Sequence, residues 1–215
     1  MEYKYQIIIY DLDSTLIDSQ WDIADSLVYV LNELKINCPE YSQIVMGHRN
    51  GALAYLKTLL TSEVTFERAA ILFKKHLLAN LTNKTCPFPH VTETLSSLRR
   101  DIKQVILTDK PSEFTTPTIA SLKIEGYFDA IYSGDSFTEK KPSAQPVLEI
   151  LTTFNIPKEK ALIVGDSIKD ILCGKNAGID TCGVTYGTSE REALEALSPT
   201  YVIEDFAELS VLARA

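Results

Sequence analysis

Three segments of the chain share one design, a β-branched apolar run that ends on polar residues: KYQIIIYD (4–11), IKQVILTD (102–109) and KALIVGD (160–166). Because apolar and polar positions do not alternate within them, they predict strands buried on both faces of a parallel sheet. DAIYS (129–133), TCGVTY (181–186) and TYVI (200–203) extend the set. Segments of helical period lie between: VTETLSSLRR (91–100), PSEFTTPTIASLKIEG (111–126), SAQPVLEILTTFN (143–155) and SIKDILCGKNAG (167–178). Pro117 is expected to interrupt the second of these, and Gly178 to cap the last. Alternating strands and helices predict a doubly wound α/β sheet with right-handed crossovers.

Residues 19–85 break this rhythm. SQWDIADSLVYVLNELKI (19–36), NGALAYLKTLLT (50–61) and TFERAAILFKKHLLANL (65–81) are helical in period, with no strand pattern between them. Too long for one crossover, the stretch is expected to form an inserted helical domain over 19–85. A sheet domain is then left over 1–18 and 86–215, resumed near Pro87 and Pro89. MGHRNGAL (46–53) is expected to be a loop between helices of the insert.

Composition adds limits. Across 215 residues, hydrophobic side chains make up 45% and charged ones 23%, which suits a globular chain able to bury a core without staples. A net charge of −8 argues against a nucleic-acid partner, which calls for a basic face. The four cysteines, Cys38, Cys86, Cys173 and Cys182, form no C-x-x-C pair and are expected as small buried hydrophobes in a reducing compartment. No apolar run approaches the ~20 residues that span a bilayer, and MEYKYQIIIYD lacks a signal-peptide pattern. A cytoplasmic protein without membrane contact is expected.

The chemistry sits where the strands end. In open α/β sheets, ligands bind outside the carboxyl ends of the strands. Here those ends carry Asp11 and Asp13, Thr108, and Asp166 followed by Asp170, while Lys141 lies in the loop TEKKPSAQP. Asp11, Asp13 and Asp166 brought together would repel unless a cation intervened, and Mg²⁺ prefers such oxygen donors. Asp166 and Asp170, four residues apart at a helix start, are expected to face the same way and to gain from the helix dipole. Thr108 and Lys141 supply a hydroxyl donor and a positive charge, the groups that a phosphoryl substrate needs. His76 and His90 carry no pattern and are expected at the surface or in packing.

DLDST, LTD, KKP and GDSIKD, in this order over residues 7 to 170, resemble the four motifs of the haloacid dehalogenase-like hydrolases. The family resemblance implies a Rossmann-like core with a parallel β-sheet and an inserted helical cap of the C1 type. It implies that Asp11 is a nucleophile forming an aspartyl-phosphate, and that Asp13 is the general acid and base. Mg²⁺ would be held by Asp11, Asp13 and Asp166, the phosphoryl oxygens by Thr108 and Lys141, and Asp170 would act on the site through its neighbours. Ser14, Thr15, Asp109 and Arg49 would border the substrate. An acid at Asp13 suits an alkoxide leaving group rather than halide. The second half, YSGDSFTEKKPSAQPVLEIL with IVGDSIKDILCGKNAGI, GVTYG and VIEDFAEL, is similar to phosphoglycolate phosphatase-like members.

Two positions depart from that subgroup's pattern: Ser14 stands where glycine is usual, and Asp109 where asparagine is usual. Asp109 is expected either to turn away from the phosphate site or to pair with Lys110. The resulting expectation is a Mg²⁺-dependent phosphatase of a small phosphorylated metabolite, monomeric or homodimeric. The alternatives are a sugar phosphomutase of the β-phosphoglucomutase type and a non-catalytic phosphate-binding protein of the same fold. A receiver-type signalling module fits neither the Asp11-Leu12-Asp13 spacing nor the long insertion.

Overall fold

The computed structural model describes residues 3–60 and 63–214. Thr61, the last residue of the expected helical segment 50–61, lies outside them. The strands are β1 (Ile7–Tyr10), β2 (Ile17–Asp18), β3 (Cys86–Pro87), β4 (Lys103–Leu107), β5 (Ala130–Tyr132), β6 (Ala161–Gly165), β7 (Asp180–Val184) and β8 (Tyr201–Ile203). The helices are α1 (Gln20–Glu33), α2 (Tyr41–Gly47), α3 (Ala52–Leu59), α4 (Glu63–Ala79), α5 (Val91–Leu98), α6 (Ser112–Leu122), α7 (Gln145–Phe154), α8 (Ile168–Ala177), α9 (Arg191–Glu195) and α10 (Leu209–Leu212). By contact density the chain divides into two compact units, Met1–Ile17 with Pro87–Ala215, and Asp18–Cys86.

The first unit is built on a six-stranded sheet of order β5-β4-β1-β6-β7-β8, parallel at every pairing. Counted along the sheet-forming strands alone, this is the doubly wound order 3-2-1-4-5-6. β1 lies at the centre, and its alternate side chains serve two cores. Ile7 and Ile9 pack with Val147 and Ile150 of α7 and with Cys173 and Ala177 of α8. Ile8 and Tyr10 pack with Leu95 and Leu98 of α5, Ile119 of α6 and Phe206. All four β1 side chains are fully buried, which is why the run carries no polar alternation. Each such isoleucine contributes about 1.5–3 kcal/mol. The Tyr10 hydroxyl, buried in this core, donates to Gln104 Oε1 at 3.0 Å, so its polarity is satisfied.

Two expectations are corrected here. Pro117 does not interrupt its helix: α6 runs from Ser112 to Leu122 with the proline inside. One ladder bond is lost, but the buried face of Thr115, Thr118 and Ile119 holds the helix in place. Of the cysteines, Cys173 and Cys182 are buried, Cys38 is half-buried and Cys86 is exposed. Gly178, with φ +75°, ends α8 in the left-handed conformation, as its position after the last apolar residue predicts.

The second unit is helical. Ala24, Leu27, Val30 and Leu31 of α1 and Ala69, Phe73 and Leu77 of α4 are buried where these helices pack together. Asp22, almost fully buried, accepts from Thr85 N at 2.8 Å, Thr85 Oγ1 at 2.7 Å and Lys84 N at 3.0 Å, tying the unit's first helix to its last residues. The loop expected over 46–53 is mostly structured. Met46 and Gly47 close α2, His48–Asn50 form a 3₁₀ turn, and Gly51 at φ +119° links to α3. α2 starts on a capping box in which Glu40 N donates to Gln43 Oε1 at 3.1 Å, a pairing visible in the sequence as Glu40-x-x-Gln43. His76 stacks on Tyr29 at 4.2 Å.

Candidate active site

The strand register builds the site. Tyr10 lies opposite Ile106 of β4 and Val164 of β6, so Asp11, Thr108 and Asp166 leave the sheet at one edge. Asp11 N donates to Val164 O at 2.9 Å, and Thr108 N to Tyr132 O at 3.0 Å. Beyond Asp11 the chain turns tightly. Leu12 O accepts from Leu16 N at 2.9 Å, and Ser14 N donates to Ile17 O at 2.8 Å. The turn holds Ser14 at φ +64°, the left-handed region that costs a residue with a Cβ roughly 1–2 kcal/mol. This is the backbone reason for the glycine usual there.

Lys141 is the hub. Its Nζ donates to Asp11 Oδ1 at 2.6 Å and to Asp170 Oδ1 at 2.6 Å, with the ammonium side chain 4% exposed. The other Asp170 oxygen accepts from Ser167 N at 3.0 Å and Ser167 Oγ at 2.6 Å. Asp170 thus caps α8 and pairs with Lys141 at once. Asp11, Asp166 and Asp170 bring carboxylate oxygens within 4.8 Å of one another, all buried. Burial pushes the Asp11 carboxyl well above the ordinary carboxylate range; Lys141 opposes that shift and Asp170 adds to it. Burial and Asp170 likewise raise Asp166 against the hydrogen bonds from Thr188 and Thr15. Burial works against the Lys141 ammonium, but Asp11 and Asp170 outweigh it and its pKa is raised.

Three buried carboxylates and one ammonium leave a formal deficit of two positive charges. A divalent cation with a taste for oxygen fits that deficit and that donor set. The residues present therefore suit a hard divalent cation.

The other expected residues fall as follows. Asp13 accepts from Lys110 Nζ at 2.8 Å, the lysine side chain 8% exposed. Asp109 pairs instead with Lys169 at 3.3 Å, at the surface. The expected alternative of an Asp109–Lys110 pair is thereby corrected: successive residues of this turn point apart, and Lys110 turns inward. Thr108 is buried, its Oγ1 accepting from Lys110 N at 3.2 Å. Thr15 Oγ1 donates to Asp166 Oδ1 at 3.0 Å. Arg49 lies in the helical unit, exposed in the 3₁₀ turn, and its role toward substrate rests on the sequence alone. Lys110 as the Asp13 partner and Thr188 as an Asp166 partner escape a reading of motifs.

A parallel, doubly wound α/β sheet with buried acids at its carboxyl edge defines the class of fold and site. The haloacid dehalogenase-like hydrolase model matches residues 8–184. The phosphoglycolate phosphatase of Aquifex aeolicus is 38% identical over 183 residues, covering 85% of this chain and 85% of the relative. That of Photorhabdus laumondii is 33% identical over 210 residues, covering 94% and 89%. The crystal structure of a predicted phosphoglycolate phosphatase from Haemophilus somnus superposes with a TM-score of 0.90 at 25% identity, covering 98% of this chain and 99% of that one. The chain belongs to the haloacid dehalogenase-like hydrolases. Among them it is an enzyme of the phosphatase kind, a phosphoric monoester hydrolase.

Proposed function

We propose that this phosphatase hydrolyses a small phosphomonoester of the phosphoglycolate type, through an aspartyl-phosphate on Asp11, with Mg²⁺ as cofactor. The observation that carries the reading is the buried cluster of Asp11, Asp166, Asp170 and Lys141, short of two positive charges. The named activity of the relatives supports the substrate class.

Asp11, held by Lys141, attacks phosphorus as the bond to the leaving alcohol breaks. Asp13 gives its proton to the departing oxygen, then takes a proton from the water that attacks the aspartyl-phosphate, releasing inorganic phosphate and restoring Asp11. Lys141 and Thr108 hold phosphoryl oxygens, positioning charge in a water-poor site. Asp11, Asp166 and the Asp13 main-chain carbonyl would hold Mg²⁺, with Asp170 steadying Lys141. Bound there, the ion would offset phosphoryl and carboxylate charge. A substrate-selecting role for the helical unit, Arg49 included, and substrate contacts of Ser14, Thr15 and Asp109 belong to the same proposal.

The test is turnover of an aryl phosphate and of phosphoglycolate with Mg²⁺. Asp11→Asn is expected to lower turnover by at least ~10³-fold, within what nucleophile removal costs in comparable enzymes, and chelation to abolish it. Full activity in EDTA would remove the metal from the reading, and an active Asp11→Asn would remove the nucleophile.

A further inference from the structure

The run GVTYG (183–187) starts on the last two residues of β7 and takes no part in the four motifs. With Thr188 it nonetheless touches the acid cluster at three points. Thr188 N donates to Asp166 Oδ2 at 2.8 Å, and Thr188 Oγ1 donates to the same oxygen. Tyr186 Oη donates to Thr15 O at 2.8 Å, and Thr15 in turn donates its hydroxyl to Asp166 Oδ1. Between them, Gly187 presses its main chain on the Asp166 side chain so closely that a Cβ would stand 2.2 Å from Asp166 Cβ. Only glycine admits this approach. The Tyr186 ring is itself wedged against Phe88 at 4.7 Å.

These contacts divide the Asp166 carboxylate unequally. Oδ2 receives two donors and is filled, while Oδ1 receives one, from Thr15, and keeps acceptor capacity. We propose that Tyr186, Gly187 and Thr188 form a brace for Asp166, in which Thr188 is a positioning residue that fixes the carboxylate to present Oδ1 to a divalent cation. The inference rests on the proposed cation site and assigns this chain's residues toward it. Partners of a ligating group govern metal affinity because they remove the freedom that the ligand would otherwise lose on binding.

The experiment is calorimetric titration of the full chain with MgCl₂, without substrate, on the wild type, Thr188→Val and Thr188→Ser. Thr188→Val keeps the shape and the main-chain donor but removes the hydroxyl, and is expected to weaken Mg²⁺ binding ~10-fold or more, as loss of such partners does elsewhere. Thr188→Ser restores the hydroxyl and is expected to bind within about 3-fold of wild type. At saturating Mg²⁺, kcat of Thr188→Val is expected to recover while KM for the phosphomonoester stays unchanged. Thr188→Ala, compared with Ser in the same way, serves if the valine variant does not fold. Unchanged affinity in Thr188→Val, or equal losses in Val and Ser, would overturn the brace while leaving the cation site standing. A wild type that binds no Mg²⁺ would overturn the functional reading and the brace with it.

Discussion

Lys110 Nζ donates to Asp13 Oδ1 at 2.8 Å, joining residues 97 positions apart. A nearly buried ammonium therefore holds the carboxylate that we propose for proton transfer. Lys110→Met retains the bulk and removes the charge. Turnover is expected to fall roughly 10- to 100-fold, less than the whole 10²–10⁴ that a general acid or base contributes, because Asp13 stays but loses its orientation. Steady-state kinetics at saturating substrate checks it, and a fall of 2-fold or less would mean that Asp13 needs no such partner.

Lys141 pairs with two carboxylates that water barely reaches. Lys141→Met leaves Asp11 and Asp170 buried without their cation. The expected loss of stability is about 3–5 kcal/mol, on the order of 10 °C in Tm for a chain of this size. Added Mg²⁺ is expected to restore part of it. Thermal melts with and without the ion measure both effects, and a Tm within 2 °C of wild type would refute the account of the charge balance.

Ser14 occupies a left-handed position at φ +64°. Ser14→Gly is expected to stabilise the chain by roughly 0.5–1 kcal/mol, since relief of backbone strain exceeds the added freedom of glycine in the unfolded chain. Denaturant midpoints at equal slope give the answer. A less stable Ser14→Gly would mean that the serine side chain contributes something its backbone position conceals.

Asp180 anchors the start of the central strand, accepting from Lys4 Nζ at 2.9 Å and Tyr5 Oη at 2.6 Å. Partial burial works to raise its pKa from the ordinary 3.8, but those hydrogen bonds outweigh burial and lower it. A carboxyl with a depressed folded-state pKa adds stability above its unfolded value and loses it as pH falls through the folded one. The pair is exposed enough to be screened, so its worth is at most about 1 kcal/mol. The Tm gap between wild type and Asp180→Asn is expected to be constant above about pH 5 and to close as pH falls through the lowered folded-state pKa of Asp180, beneath which both side chains are uncharged. A gap that widens in acid would reverse the sign.

How much of this was legible in the sequence follows from how local each cause is. β1, β4 and β6 declare themselves because burial on two faces leaves continuous apolar runs, and Asp11, Thr108 and Asp166 follow from where those runs stop. α2 was missed because its seven residues are too few to show a period, although Glu40 and Gln43 marked its start. Whether Lys110 or Lys169 would meet Asp109 depends on which way adjacent side chains of one turn point, and tertiary packing decides that. Asp22 shows the same limit. A carboxylate inside an amphipathic helix reads as a solvated face until Thr85, 63 positions later, folds onto it.

The central place of β1 in the sheet has a consequence for biosynthesis. Asp11 leaves the ribosome 130 positions ahead of its ion-pair partner Lys141. At ~5–20 residues per second, Asp11 waits on the order of ten seconds for its counter-charge. Asp166 and its partner Thr188 are made later still. The groups of the acid cluster therefore arrive one by one, and the cluster cannot assemble before Asp166 and Thr188 have followed Lys141 out of the ribosome.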